Sequence, residues 1–173
     1  MFPLFDLSGK TAVLTGASKG MGLAMATALA EHGARVVISA RNQDQLETAA
    51  QTINSLCGKD MAIPVIANAG QREALENLVE TARSRAGSID IVIGNAGVNP
   101  YFGPTSEISD AAYQKTMTTN VQSNLWLAQL TVPDMVKKGA GSVIFTASVA
   151  ALKPSEQLGT YGMSKLALIG LTR

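Results

Sequence analysis

Lys10-Thr11-Ala12-Val13-Leu14-Thr15-Gly16-Ala17-Ser18-Lys19-Gly20-Met21-Gly22 is the stretch whose reading decides the fold. Lys10 to Thr15 is a short apolar run with the character of a buried strand. A glycine cluster follows, and then an Ala/Leu-rich helix from Leu23 to Glu31, closed by Gly33. The cluster reads Gly-x-x-x-Gly-x-Gly, not the Gly-x-Gly-x-x-Gly of many dinucleotide sites, but the physical demands are similar. Gly16 allows a tight turn, Gly20 lets backbone approach a pyrophosphate, and Gly22 allows a helix to pack closely on a strand. A helix amino terminus favours an anion. The competing reading is a glycine-rich connection that holds no ligand.

The same alternation continues along the chain. Strands are expected at Ala34 to Ser39, Met61 to Ala67, Ile89 to Ile93 and Gly141 to Thr146. Helices are expected at Gln43 to Leu56, Gln71 to Arg85, Asp110 to Thr116 and Thr119 to Lys137, with a last one starting near Thr160. Met1 to Gly9 is a lead-in, and Val98 to Pro104 a Pro/Gly-rich loop. Continuous apolar strands alternating with helices predict an α/β fold with a doubly wound parallel sheet, in the order 3-2-1-4-5. Ligands then belong at the carboxyl ends of strands one and four, where the order reverses. With no linker, repeat or low-complexity tract, the 173 residues read as a single domain.

Composition narrows the function. Hydrophobic residues make up 46% and charged residues 16%, as in a protein with much buried surface. Fourteen basic and 13 acidic residues give a net charge of +1, with no like-charge run, which argues against nucleic acid or a membrane as partner. No signal peptide or membrane-length apolar run is visible. A single cysteine, Cys57, reads as a packing residue and fits a reducing, cytoplasmic compartment. No metal site is expected. The one histidine, His32, sits at a helix end, where it complements the dipole.

Two further features carry chemistry. Tyr161 and Lys165 are four apart in a helical stretch and share a face, and an ammonium beside a phenol favours the phenolate. Such a tyrosine can exchange a proton with a carbonyl or alcohol oxygen, and Ser148, after the fifth strand, is placed to hold that oxygen. On its own the pair also reads as an ordinary surface Tyr and Lys. At the end of strand two, Ser39-Ala40-Arg41 offers no acid for a ribose 2′-hydroxyl. Arg41 and Lys19 can instead meet a 2′-phosphate, which favours NADP over NAD, with two solvated cations as the alternative.

Thr15-Gly16-x-x-x-Gly20-x-Gly22, Asn95-Ala96-Gly97, Asn120, Ser148 and Tyr161-x-x-x-Lys165 stand in the order and spacing of the short-chain dehydrogenase/reductase family, which the whole chain resembles. Asn99-Pro100-Tyr101-Phe102-Gly103 and the Pro154 loop are most similar to its NADP-dependent carbonyl reductase branch, with the 3-oxoacyl-carrier-protein reductases close behind. The resemblance implies a Rossmann-like fold and hydride transfer between NADP(H) and a small carbonyl or alcohol. It implies Tyr161 as acid/base, Lys165 as tuner of Tyr161 and ribose ligand, Ser148 as holder of the substrate oxygen, and Asn120 as holder of a relay water. It assigns cofactor contacts to Gly16, Ser18, Lys19, Gly20, Met21, Gly22, Arg41, Asn68, Asn95, Ala96, Gly97, Tyr161 and Lys165. It also implies a homodimer or homotetramer through the Asn120 and Tyr161 helices; Trp126, Leu127 and Leu130 read as core or interface.

Three departures from the family's pattern stand out. Gly94 replaces an asparagine that helps hold the central strands. Asn68 replaces an aspartate that meets the adenine. The sequence given ends at Arg173, where family members continue with two more strands and a substrate lid. The domain is therefore expected to be incomplete at its carboxyl end, with strand five an exposed edge. A fragment, a natural truncation with poor turnover, and a protomer completed by another chain are the readings that follow.

Overall fold

The computed structural model describes residues 3–58 and 60–173; the start of the lead-in, Met1 and Phe2, lies outside the described residues, as does Lys59. Five parallel strands form one sheet: β1 (Thr11–Thr15), β2 (Arg35–Ala40), β3 (Ala62–Ile66), β4 (Ile91–Gly94) and β5 (Ser142–Phe145). Their order is β3-β2-β1-β4-β5, as the alternating pattern predicts. Register is set by pairs such as Val13 with Val37 and Val92.

Successive strand side chains point to opposite faces, so each apolar strand serves two cores. Ala12, Leu14, Val36 and Ile38 face α1 (Gly20–Glu31) and α2 (Gln43–Cys57), packing with Ala26, Leu46 and Ile53. Val13, Val37 and Val92 face the other way, against Leu75, Leu78 and Val79 of α3 (Arg72–Ala86) and Leu127 and Met135 of α5 (Ser123–Lys138). Leu127 is fully buried, and Trp126 and Leu130 pack beside it, so these residues belong to the core.

The helices begin where local chemistry provides a cap. The Asn42 side chain accepts from the Gln45 N–H at the start of α2, and Ser109 accepts from Ala112 N at the start of α4 (Asp110–Met117). His32 lies at the end of α1, as expected, with its ring against the Ala28 carbonyl.

The two helices expected over 110–137 are joined. A π-helical turn, Thr118–Gln122, connects α4 directly to α5, and Asn120 lies in it. Side chains far apart in sequence create that turn, as described below. The last helix, α6, runs Gly159–Leu171.

Away from the ligand end, Asp90 ties three elements together. Its carboxylate accepts from Lys138 at 2.7 Å and from the Thr11 N–H at 3.0 Å, with Lys10 at 3.6 Å. Burial pushes this carboxyl up, but the Lys138 hydrogen bond, the Thr11 N–H and the two ammonium charges outweigh it and hold it below its ordinary range. β5 pairs with β4 alone and forms one edge of the sheet, with Ile144 46% exposed.

Candidate active site

A groove of ≈ 950 Å³ opens at the carboxyl ends of β1, β2, β3 and β4, where the strand order reverses. Thr15, Gly16, Ser18 and Lys19 line it from the glycine loop; Ala40, Arg41 and Asn42 from the end of β2; Asn68 from the end of β3; Asn95, Ala96 and Gly97 from the end of β4. Gln114, Lys115, Thr118 and Thr119 close it from α4 and the π turn. Three of these lining residues are cationic, Lys19, Arg41 and Lys115, and none is a carboxylate. The sequence reading missed Lys115, because only the fold turns α4 toward the groove.

The glycine loop has the geometry its spacing implies. Gly16 has φ +65°, and a Cβ there would lie 2.9 Å from the Ala96 Cα. A Cβ on Gly22 would overlap the Gly16 carbonyl, so a helix with any side chain at that position could not approach β1 this closely. Gly20 opens α1 with φ +57°, and the space beside it is free. The first N–H groups of a helix have no partner within it, so this end carries free donors next to the glycine loop. Gly20, Met21 and Gly22 do not themselves line the groove; the Met21 side chain is 68% exposed.

Asn95 is a holding residue by geometry. Its Nδ2 donates to the Thr15 and Gly16 carbonyls at 3.3 and 3.0 Å, and its Oδ1 accepts from Thr146 Oγ1 at 3.1 Å. The Asn95 and Ala96 N–H groups both donate to Thr15 Oγ1 at 3.1 Å. Asn68 Oδ1 accepts from the Gly70 N–H at 3.1 Å, which fixes its orientation at the groove wall.

Tyr161 and Lys165 lie one turn apart on α6. The Lys165 ammonium is 5.7 Å from the centre of the Tyr161 ring. Lys165 is only 3% exposed, donates to the Thr146 carbonyl at 2.6 Å, and has its pKa lowered by burial. A Cβ on Gly97 would lie 3.4 Å from that nitrogen, so the Tyr161–Lys165 pair and the groove adjoin through the segment after β4. Ser148 begins a short 3-10 turn, Val149–Ala151, where its Oγ accepts from the Ala150 N–H at 3.1 Å. That turn lies against α6 because residue 162 has no side chain: a Cβ there would sit 2.6 Å from the Ala150 carbonyl.

Asn120 is completely buried, and its amide makes three hydrogen bonds. Its Oδ1 accepts from Val98 N at 2.7 Å, and its Nδ2 donates to the Val98 carbonyl at 2.9 Å and to Ser164 Oγ at 3.0 Å. Both amide hydrogens are used within the chain, and the side chain clamps the segment after β4 to α6. The next-turn Asn124 donates to the Asn120 carbonyl at 2.7 Å. These side-chain bonds account for the widened turn at 118–122.

Asn124 also answers the departure at Gly94. A Cβ on Gly94 would overlap the Asn124 amide, so the helix side chain occupies the place of the one missing from the strand. Sequence spacing gave a signal, since Asn124 follows Asn120 by one helical turn, but the contact with Gly94 is long-range.

Comparison with known proteins bears on the family and the fold. Residues 10–173 match the short chain dehydrogenase family. The chain is 39% identical over 168 residues to dehydrogenase/reductase SDR family member 4 of Oryctolagus cuniculus, covering 96% of this chain and 64% of the rabbit protein. The L-sorbose reductase of Gluconobacter frateurii, solved with NADPH and L-sorbose, aligns with TM-score 0.91 and 34% identity over 96% of this chain and 63% of its own. An NAD⁺-bound xylitol dehydrogenase aligns with TM-score 0.89 and 28% identity over 95% of this chain and 63% of its own. The chain thus spans just under two thirds of the length of these relatives.

Proposed function

The chain belongs to the short-chain dehydrogenase family, and on that premise we propose that it transfers a hydride between NADP(H) and a small carbonyl or alcohol substrate. The observation that carries this reading is the pairing of Tyr161 with the buried Lys165, beside a groove with three cations and no carboxylate on its walls. That wall chemistry fits a dinucleotide with an extra phosphate. Thr15 to Gly22 would hold the pyrophosphate, Lys19 and Arg41 the 2′-phosphate, Asn68 the adenine side, Asn95 to Gly97 the middle, and Tyr161 and Lys165 the nicotinamide ribose. NAD is the runner-up; the similar structures include one solved with each cofactor.

When bound, the nicotinamide supplies the hydride in reduction and takes it up in oxidation. Tyr161 gives its hydroxyl proton to the substrate oxygen as that oxygen gains charge, and takes the proton back in oxidation. The Lys165 ammonium lies 5.7 Å from the Tyr161 ring centre and would hold the ribose hydroxyls beside it. Ser148 Oγ accepts from Ala150 N, which leaves its own proton to donate to the same substrate oxygen. Asn120 holds Val98 and α6 in register.

A dimer or tetramer would use the outer faces of α5 and α6, where Leu125, Val132, Val136, Met163 and Leu166 are exposed. The second reading is a nucleotide-binding or interaction module with little turnover. Steady-state oxidation of NADPH with a panel of diketones and aldehydes separates the two. Turnover well above that of Tyr161→Phe supports the enzyme. Tight NADPH binding with no turnover above that control supports the module.

A further inference from the structure

We infer that Thr146 is a positioning residue that couples the glycine loop to Lys165. Thr146 directly follows β5 and prolongs its ladder, its N–H donating to the Gly94 carbonyl at 3.0 Å. Its two other polar groups point to the two halves of the site. The carbonyl accepts the Lys165 ammonium at 2.6 Å, and the hydroxyl donates to Asn95 Oδ1 at 3.1 Å. Asn95 in turn holds the Thr15 and Gly16 carbonyls through its Nδ2. A continuous hydrogen-bonded path therefore runs from the glycine loop through Asn95 and Thr146 to the candidate catalytic lysine.

The path matters because Lys165 has no other hydrogen-bond acceptor and no carboxylate partner among the described residues. The groups near its nitrogen are the Thr146 carbonyl after β5, the Gly97 segment after β4, and Tyr161 on its own helix. An ammonium buried to this degree depends on its one acceptor for both place and charge. The Thr146 hydroxyl fixes that acceptor from the side: without its bond to Asn95, the carbonyl loses the anchor that ties it to the glycine loop. A ligand that settles on Gly16 is then felt at Lys165 through Asn95 and Thr146.

This inference rests on the proposed roles of the groove and of Lys165, and Thr146→Val tests it by removing the hydroxyl while keeping the shape and the carbonyl. Two readouts are taken. The first is NADPH affinity, by nucleotide fluorescence; the variant should bind about fivefold more weakly, the worth of one hydrogen bond. The second needs no nucleotide: the titration of Lys165, followed by ¹³Cε resonances of labelled lysine in the free protein, should move to lower pH in Thr146→Val. Thr146→Ser, which keeps the hydroxyl, should restore both. An unchanged Lys165 titration in Thr146→Val, or a serine variant that behaves like valine, overturns the coupling. Because the lysine titration is read without cofactor, failure of the NADP assignment leaves this test standing.

Discussion

Replacing Gly94 by alanine puts one methyl group into a place already taken. The new Cβ would overlap the Asn124 side-chain amide and lie 2.8 Å from Phe145 Cδ1. Asn124 is only 2% exposed, and its Nδ2 is engaged with the Asn120 carbonyl at 2.7 Å. The clash can be relieved only by turning Asn124 away or by separating α5 from β4. Turning Asn124 leaves a buried amide and a buried carbonyl without partners, at about 1–3 kcal/mol. Overpacking adds about 1–3 kcal/mol. The sum, roughly 2–6 kcal/mol, is a large part of the ~5–15 kcal/mol that holds an ordinary domain together. The assay is a double-mutant cycle by thermal and urea unfolding on Gly94→Ala, Asn124→Ala and the pair. Asn124→Ala alone loses the hydrogen bond and leaves a small cavity. In the double variant the alanine at 94 grows into that cavity, so its loss should fall short of the sum of the singles by at least ~1 kcal/mol. Losses that add to within about 0.5 kcal/mol would mean the two positions do not share one space, and would refute the reasoning.

Other expectations follow from the same geometry. Arg41→Ala should weaken NADPH far more than NADH, because only the former carries the 2′-phosphate that a guanidinium holds; titration with both nucleotides checks this, and equal losses would remove Arg41 from cofactor choice. Asp90 makes a pH-dependent contribution. Its folded-state pKa is depressed, so the stability it lends is present above the ordinary carboxylate range and is lost as pH falls through the folded value. Thermal melts between about pH 7 and about pH 2.5 should therefore show a steeper acid loss for the parent than for Asp90→Asn, which begins less stable. Parallel curves would mean that the Lys138 and Thr11 bonds contribute little.

Much of the architecture is legible in the sequence because it depends on local patterns. Strand-length apolar runs alternating with helices are enough for the parallel sheet and its order. A glycine spacing after β1 is enough for the turn at Gly16 and the close approach at Gly22. The four-residue step from Tyr161 to Lys165 is enough to put both on one side of α6. What escapes the sequence is carried by bonds between distant positions. The π turn at 118–122 depends on Asn120 reaching Val98 and Ser164, which no helical period encodes. Thr146 looks like the last residue of an apolar strand until its two polar groups are seen to face Lys165 and Asn95. Lys115 reads as one more surface charge until α4 is placed across the groove. Gly94 reads as a loss of support, and becomes half of a fitted contact once Asn124 lies against it.

The central claim is that hydride passes between a nicotinamide and a carbonyl carbon in this site, with Tyr161 giving the proton. Supplying NADPH deuterated at its transferable position, together with a ketone that the chain turns over, and reading the product alcohol by mass spectrometry tests this most directly. The account predicts one deuterium on the carbinol carbon, and loss of that product in Tyr161→Phe. An unlabelled alcohol, or the same labelled yield from Tyr161→Phe, would contradict it.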